Sequence, residues 1–460
     1  MKILALDLGT SSVRGLVLDD AQPLPGALAR RRVVLAVDDE GAGTLDPRHY
    51  LACLIECLDE LHGQGWLDGV ELVAISGQWH SVLPLGADGE PLGPVLTWLD
   101  TRPESPATAV GPADPDAFHQ RTGTWWHRCY WSVRLPWLRA HTGGRVARFT
   151  GLVEYVLGRL LREAPMSMSQ ASGTGLLDLH TLAWDPEACA LAGSDGSDLP
   201  DLVARDWRGG LRAEYGRRWP ALAGARWAPP LGDGAASNVG SGCVDPTRAA
   251  VTVGTSSAVR LLQRMSTPAE TTVLPHRLWR YRVDHDHVVT GAAYSSGGNL
   301  FAWADRVLRL PSGQALEEAL ALLPPGGGRP ANVRFGGDRP PGRRPAGLGE
   351  LRGLGFSTTA VEMLAGLMYG VCEQVVDDLV ELESTVGRPV EVVLGGGAIA
   401  ASTWWRQAFA AVLAPRTVGF GRHPEIGATG AALVATGRIA DAVAVADIGR
   451  TDDQASATSA

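Results

Sequence analysis

The chain has 460 residues, with 41 basic and 50 acidic side chains and a formal charge of −9. That length holds two or three domains with cores of their own, and that charge argues against the basic domain or stripe of a general nucleic-acid binder. No apolar run approaches the roughly 18 residues of a membrane span, and Asp7 breaks the first run too early for a secretory leader. Six cysteines without a close framework point to reduced thiols in a cytoplasmic setting. Lys2 is the only lysine, which excludes both a Walker P-loop and the strand lysine of a protein kinase. A nucleotide would have to be held by backbone N–H groups, hydroxyls, a metal and arginine.

ILALDL (3–8) and VRGLVLD (13–19) are predicted as a hairpin, with RRVVLAV (31–37) as a third strand. A helix is predicted over 47–63, begun at Asp46-Pro47; Cys53 and Cys57 stand at i, i+4 within it, a spacing read as core packing. ELVAISG (71–77) predicts a buried strand, and SVLPLGADGEPLGPVLTW (81–98) two strands around an Asp-Gly turn. This is a mixed α/β beginning rather than a βαβ series. Residues 100–230, rich in Trp, Pro and Arg, form an elaboration on the first half. AAVTVGTSSAVRLLQ (249–263) then echoes the opening stretch: apolar strand, Gly-Thr-Ser-Ser, Val-Arg, apolar strand. Two echoing halves predict a duplicated fold, each half offering a hydroxyl-rich hairpin to a shared cleft. Further on come an arginine-clustered loop (324–347), a long amphipathic helix (357–387), a strand, Gly-Gly-Gly turn and helix (391–415), and a small-residue helix (427–437).

In DLGTSS, a strand-borne carboxylate at Asp7 suits the hydration shell of Mg²⁺. Gly9 lets the chain turn, and the amides and hydroxyls of Thr10, Ser11 and Ser12 suit phosphate oxygens. Gly254, Thr255 and Ser256 repeat the device, so two hairpins could grip a triphosphate from both sides. Gly395, Gly396 and Gly397 after a strand would admit a base or ribose close to the backbone, or simply start a helix.

DLGTSSVRGLVLD, SGQWHSVLPLG, TWLDTR, GDGAASNVGSG, VTVGTSSAVR and VLGGGAIAASTWWRQAFAAVL, in this order, resemble the FGGY carbohydrate kinase family of the actin-like ATPase superfamily. The resemblance runs over residues 1–440. It is nearest the gluconokinase-type branch through SMSQASGTGLLD (167–178), GDGAASNVGSGC (232–243) and GAAYSSGGN (291–299). It implies an α/β fold of two actin-like (ribonuclease H-like) domains flanking a deep catalytic cleft. Residues 1–243 would form the sugar-binding domain, 244–442 the ATP-binding domain and 443–460 a polar tail.

It further implies Asp233 as catalytic base, and sugar contacts from Gln78, Trp79, His80, Trp98, Asp100, Arg102 and Tyr130. Thr10, Ser11, Ser12, Arg14, Gly254, Thr255, Ser256, Gly298, Gly395, Gly396, Gly397 and Ala398 would meet ATP, and Asp7 and Asp233 would orient Mg²⁺. The implied activity is phosphorylation of a sugar or sugar-acid hydroxyl, gluconate first; xylulose, ribulose, fuculose, glycerol and erythritol are the alternatives, with a non-catalytic sugar sensor as another class. The partners are then a small sugar and ATP/ADP, with no nucleic acid or membrane and a homodimer left open. Arg102 could pair with a substrate carboxylate, with hydroxyls or with Asp100. Departures from the family pattern are Arg134 where lysine is usual, the following Pro136, Trp79, and GGDRPP (336–341) with Asp338 in place of Glu.

Overall fold

The computed structural model describes residues 1–103, 111–265, 272–326, 331–332, 350–421 and 425–450. The GGDRPP loop with Asp338, most of the arginine-clustered stretch and residues 451–460 of the expected tail lie outside the described residues.

The opening hairpin forms: β1 (Lys2–Leu8) pairs antiparallel with β2 (Ser12–Asp19). The third strand does not lie over 31–37. Asp20 and Ala21, both at positive φ, turn the chain straight out of β2 into β3 (Gln22–Arg32). Pro23, Pro25 and Gly26 disguise this strand, but β3 is the sheet edge, where proline's missing N–H removes no ladder bond. α1 (Pro47–Gly63) follows, and the Asp46 carboxylate accepts from Arg48 N (2.8 Å) and His49 N (3.3 Å) to cap it. β4 (Val70–Gly77) lies parallel to β1. The two strands predicted over 81–98 form, but they splay: Leu83–Leu85 pairs with Arg148–Thr150, and Val95–Leu96 with Gly43–Leu45.

The elaboration supplies α2 (Trp131–His141) and α3 (Leu152–Leu160). The chain returns to the sheet with β5 (Arg226–Trp227) and β6 (Leu231–Gly232), both parallel to β4, and enters α4 (Asp233–Gly240). The first sheet therefore runs β5-β4-β1-β2-β3. The second is built from β7 (Arg248–Val253), β8 (Ser257–Arg264), β9 (Trp279–Arg282), β10 (His287–Tyr294), β11 (Glu391–Gly395), β12 (Val418–Gly421) and β13 (Ile448–Arg450), in the order β9-β10-β8-β7-β11-β12-β13. Both sheets contain one five-strand unit, three antiparallel strands joined to two parallel ones (β3-β2-β1-β4-β5 and β10-β8-β7-β11-β12), the duplication that the echo predicted; β6 in the first sheet and β9 and β13 in the second are additions to it. The helices of the second half include α5 (Gly298–Val307), α6 (Ala360–Val386), α7 (Gly397–Ala401), α8 (Thr403–Leu413) and α9 (Ile426–Ala435).

Leu54, Leu58 and Leu61 of α1 and Val156 and Leu160 of α3 pack on Leu4, Leu6 and Val17 of the first sheet. Val371 and Leu379 of α6 and Trp405 and Phe409 of α8 pack on Val251, Val259 and Leu394 of the second. A third core lies between the halves, where Ile3, Ala5, Ala235, Val239, Tyr281, Ala428 and Ala432 meet. There α9 crosses α4 backbone to backbone. A Cβ on Gly240 would lie 1.8 Å from Ile426 O, and one on Gly430 1.9 Å from Ala236 O. The small-residue pattern of α9 thereby seats a helix of the second half on the helix that Asp233 begins.

Candidate active site

β1 and β6 end at the same edge of the first sheet, because both are parallel to β4: Asp7 stands opposite Ser76, and Gly232 opposite Gly77. This register brings Asp7 and Asp233 to one cavity of about 240 Å³, also lined by Gly9, Arg14, Ser76, Ser237 and Glu425. Burial pushes the Asp7 carboxyl up to about 6; Asp233 and Glu425 add to the rise and Arg14 opposes it. Arg14 Nη1 lies 3.3 Å from Glu425 Oε2 and 3.9 Å from Asp7 Oδ2. Ser76 Oγ is buried beside the Asp7 carboxyl, close enough to lower it slightly by donating to it. A donor set of carboxylate and hydroxyl oxygens fits a divalent cation. Among the described residues no three metal-ligating side chains form a ready cage, so these residues suit an ion that keeps several waters, as Mg²⁺ does.

Asp233 also lines a second cavity of about 330 Å³, with Trp79, His80, Trp98, Asp100, Tyr130, Arg128, Arg260, Arg277, Tyr281 and others. Burial raises the Asp233 carboxyl, against the pull of Arg260. Trp79 forms part of the wall. Its Nε1 donates to Ser169 O (2.9 Å), and its ring leaves no room for a Cβ at Gly232 (1.9 Å) or Gly234 (2.5 Å). Tyr281 meets Trp79 edge-on at 4.9 Å and shares a 2.8 Å hydrogen bond with Tyr130. His80 sits at φ +66°. Its Nδ1–H donates to Gly173 O (2.7 Å), and burial pushes the ring down to about 4, which keeps it neutral with Nε2 as an acceptor.

Arg134, the departure from lysine, is fully buried. It donates to the carbonyls of Arg128 (2.8 Å), His80 (2.7 Å), Thr97 (2.8 Å) and Asp100 (3.2 Å), tying the cavity's loops together. A lysine ammonium has three donors and no planar fork for four such carbonyls.

Two expected sugar contacts stand elsewhere. Gln78 is buried beneath the DLGTSS turn and accepts from Thr10 Oγ1 (3.4 Å), since alternation along the chain sends it away from Trp79. Arg102 forks onto Asp100, with Nη2–Oδ2 at 2.6 Å and Nε–Oδ1 at 3.1 Å, and does not line the cavity; Asp100 also accepts from Gly43 N (3.1 Å). Of the expected phosphate hydroxyls, Ser12 Oγ accepts from Arg14 Nε (3.2 Å), while Ser11 is exposed.

The glycine-rich positions of the second half do converge. Gly298 N donates to Gly254 O (2.7 Å), and Asn299 N to Thr255 O (3.0 Å). Gly396 has φ +102°, and a Cβ there would lie 2.4 Å from Val253 O. A Cβ on Gly298 would lie 3.8 Å from that of Ala398. Gly254–Ser256, Gly298 and Gly395–Ala398 thus make one bare backbone surface, open to close approach. Sequence reasoning gave no role to Ser76, Arg260, Arg277, Tyr281 or Glu425. Only Arg260 carried a signal, as the arginine of the repeated motif.

The description "FGGY family of carbohydrate kinases, N-terminal domain" matches residues 2–240, and its C-terminal counterpart matches 249–437. A gluconokinase of Bacillus subtilis is 25% identical over 479 residues, covering 97% of this chain and 90% of its own. A xylulose kinase of Streptomyces rubiginosus is 28% identical over 454 residues, covering 95% and 87%. The crystal structure of gluconate kinase from Lactobacillus acidophilus superposes with a TM-score of 0.83 at 21% identity, covering 99% of this chain and 95% of that one. With both family domains matched across most of its length, on two sheets of one duplicated topology, the chain belongs to the FGGY family of carbohydrate kinases.

Proposed function

We propose that this kinase phosphorylates a sugar acid with Mg-ATP, gluconate first, and that Asp233 is its base. One observation carries the reading. Among the described residues, Asp233 alone lines both the aromatic, sugar-sized cavity and the small carboxylate cavity beside the first Gly-Thr-Ser-Ser turn. A hydroxyl held in the first and a phosphoryl group entering by the second would meet at this carboxylate. Asp233 takes the hydroxyl proton as the oxygen attacks phosphorus.

His80 Nε2 and the tyrosine hydroxyls offer polar contacts to a polyol, and Trp79 and Trp279 offer flat faces. The acid preference is supported by the gluconokinase relative and by Arg128 and Arg277 in the cavity wall, not by Arg102, which is held by Asp100. Thr10, Thr255 and the bare glycine surface would receive the phosphates and adenosine. Asp7, Asp233 and Glu425 would hold Mg²⁺ through water, and the ion would offset phosphate charge.

The test is coupled ADP production with Mg-ATP and gluconate, xylulose, ribulose, fuculose, glycerol or erythritol. Turnover of gluconate, reduced about 10²–10⁴-fold in Asp233→Asn, is expected. Turnover of xylulose alone would keep the chemistry and overturn the acid preference. Undiminished turnover in Asp233→Asn would overturn the base.

A further inference from the structure

Every permanently cationic side chain at the reacting centre must be an arginine, because the one lysine is spent elsewhere: Lys2 Nζ donates to Asp68 O (2.7 Å) at the far end of β1. Among the described residues, four arginines are near enough to matter. Arg14 lines the small cavity, but its charge is met by Glu425 at 3.3 Å and Asp7 at 3.9 Å. Arg277 forms an ion pair with Asp378 at 2.9 Å, and Arg128 Nη1 donates to Thr101 O at 3.3 Å; these two serve the outer wall of the sugar cavity.

Arg260 is placed differently. Its stem lies over Gly291, where a Cβ would approach Arg260 Cγ to 3.2 Å. Its Nε lies 3.0 Å from the point a Cβ on Gly234 would occupy, beside the residue that follows Asp233. Its Nη1 reaches 3.5 Å from Thr252 Oγ1, on the strand that leads into the Gly254-Thr255-Ser256 turn. Nε is shut off from solvent and has no hydrogen-bond partner. A guanidinium with a buried, unsatisfied N–H is expensive unless a partner arrives. Asp233 and Ser256 line the same cavity as Arg260, so the guanidinium shares that cavity with the proposed base on the first half and with the second phosphate turn on the second.

We infer that Arg260 is a catalytic residue whose guanidinium contacts the phosphoryl group in flight. The inference rests on the kinase reading above. In the transfer, the bond from the γ-phosphorus to the β,γ-bridging oxygen breaks and its electron pair leaves with ADP. The acceptor oxygen bonds to phosphorus, and its proton passes to Asp233. Negative charge spreads over the three equatorial oxygens between these events. Arg260 donates to one of them, and its orphaned Nε–H is satisfied in that state. This is differential binding of the transition state, so it acts on kcat rather than on KM. The position also separates Arg260 from recognition of a sugar acid's carboxylate. Beside Asp233 it meets the end of the substrate that reacts, while a carboxylate at the opposite end of an extended six-carbon chain would face the outer wall.

The experiment measures kcat, KM for the sugar and KM for ATP in wild type, Arg260→Lys and Arg260→Gln, with the best acid and the best neutral substrate of the panel. Arg260→Gln is expected to lower kcat about 10²–10³-fold for both substrates, with each KM within about threefold. Arg260→Lys is expected to recover part of kcat, and guanidinium added to Arg260→Ala to raise its kcat further without changing the sugar KM. A raised KM confined to the acid, with kcat intact, would overturn the inference and make Arg260 a carboxylate anchor. A kcat within threefold of wild type in Arg260→Gln would overturn it too. Unchanged ATP binding and thermal midpoint in the variants separate a chemical loss from misfolding; if Arg260→Gln unfolds, Arg260→Lys and the guanidinium rescue decide. A wild-type chain that turns over no substrate would overturn the kinase reading itself, and this inference with it.

Discussion

The two Gly-Thr-Ser-Ser hairpins share a frame and divide the chemistry. In the first, Asp7 pairs with Arg14 across the hairpin and with Ser76 on the parallel strand. At the equivalent place in the second stand Thr252, Ala258 and Gly395. One turn is a charged, oxygen-rich mouth; the other is bare backbone. The second turn is also shorter by one residue, with Val253 opposite Ser257 where the first has Leu8 opposite Val13. Combined with the extra Ala258, this moves its arginine two places along the strand. Because strand side chains alternate, Arg260 emerges on the same face as Arg14 would, one pleat repeat farther from the turn. A duplicated scaffold thus sets its two cations at different depths: Arg14 among carboxylates, Arg260 beside Asp233.

The sharpest way to break this comparison is to neutralise the polar residue in each turn. Asp7→Asn is expected to lower kcat about 10²–10³-fold and to raise the Mg²⁺ concentration needed for half-maximal rate. Thr252→Val, at the equivalent site, is expected to change kcat less than about threefold, since its hydroxyl makes only a 3.5 Å contact with Arg260. Titration of rate against Mg²⁺ in both variants reads the difference. Equal losses would show that the two hairpins share the charge work.

What the sequence made legible follows the range of the signal. The hairpins, α1 and α6 announce themselves through local periodicity and caps, such as Asp46 and the Thr359–Glu362 capping box. β3 was obscured by its two prolines, which an edge strand tolerates and a propensity reading does not. Trp79, His80 and Tyr130 line the larger cavity, but a motif carries no direction for each side chain. Gln78 and Arg102 turn instead toward Thr10 and Asp100. Arg277 and Tyr281 were beyond sequence reasoning. They enter the first half's cavity from the second half, Tyr281 on β9 and Arg277 in the turn before it, and that approach follows from long-range packing, such as the glycine contacts between α4 and α9, which leaves no mark at 277 or 281.

The halves differ again in their buried helical carboxylates. Asp378 on α6 is met by Arg277 and by the Tyr294 hydroxyl. Glu154 on α3 is 4% exposed, and both its oxygens lack hydrogen-bond partners. Burial raises its carboxyl from 4.5 to about 7. Between those values the folded chain keeps a proton that the unfolded chain has released. Glu154 therefore leaves stability intact below pH 4.5 and erodes it as pH rises toward 7, by about 3 kcal/mol in all. Urea midpoints from pH 4.5 to 8 should fall less steeply in Glu154→Gln, which should be the more stable chain at pH 8. An identical slope in the variant would place the pH dependence elsewhere. Asp378→Asn should instead lower the midpoint at every pH, by removing a partner of Arg277.

The smallest expected effect lies in the turns themselves. Neither Gly9 nor Gly254 has a positive φ, so neither is required by backbone conformation. A Cβ on Gly9 would lie 3.3 Å from Ser12 O, and one on Gly254 4.0 Å from Ser256 O. Gly9→Ala should therefore cost below about 1 kcal/mol, while Gly254→Ala should be neutral or gain a few tenths through a less flexible unfolded chain. The same methyl at Gly254 would stand on the bare surface where phosphate is proposed to approach. KM for ATP should then rise severalfold in Gly254→Ala while its denaturation midpoint holds. A KM that stays level would mean that glycine serves folding rather than nucleotide approach at this turn, and that the division between the two hairpins is one of charge alone.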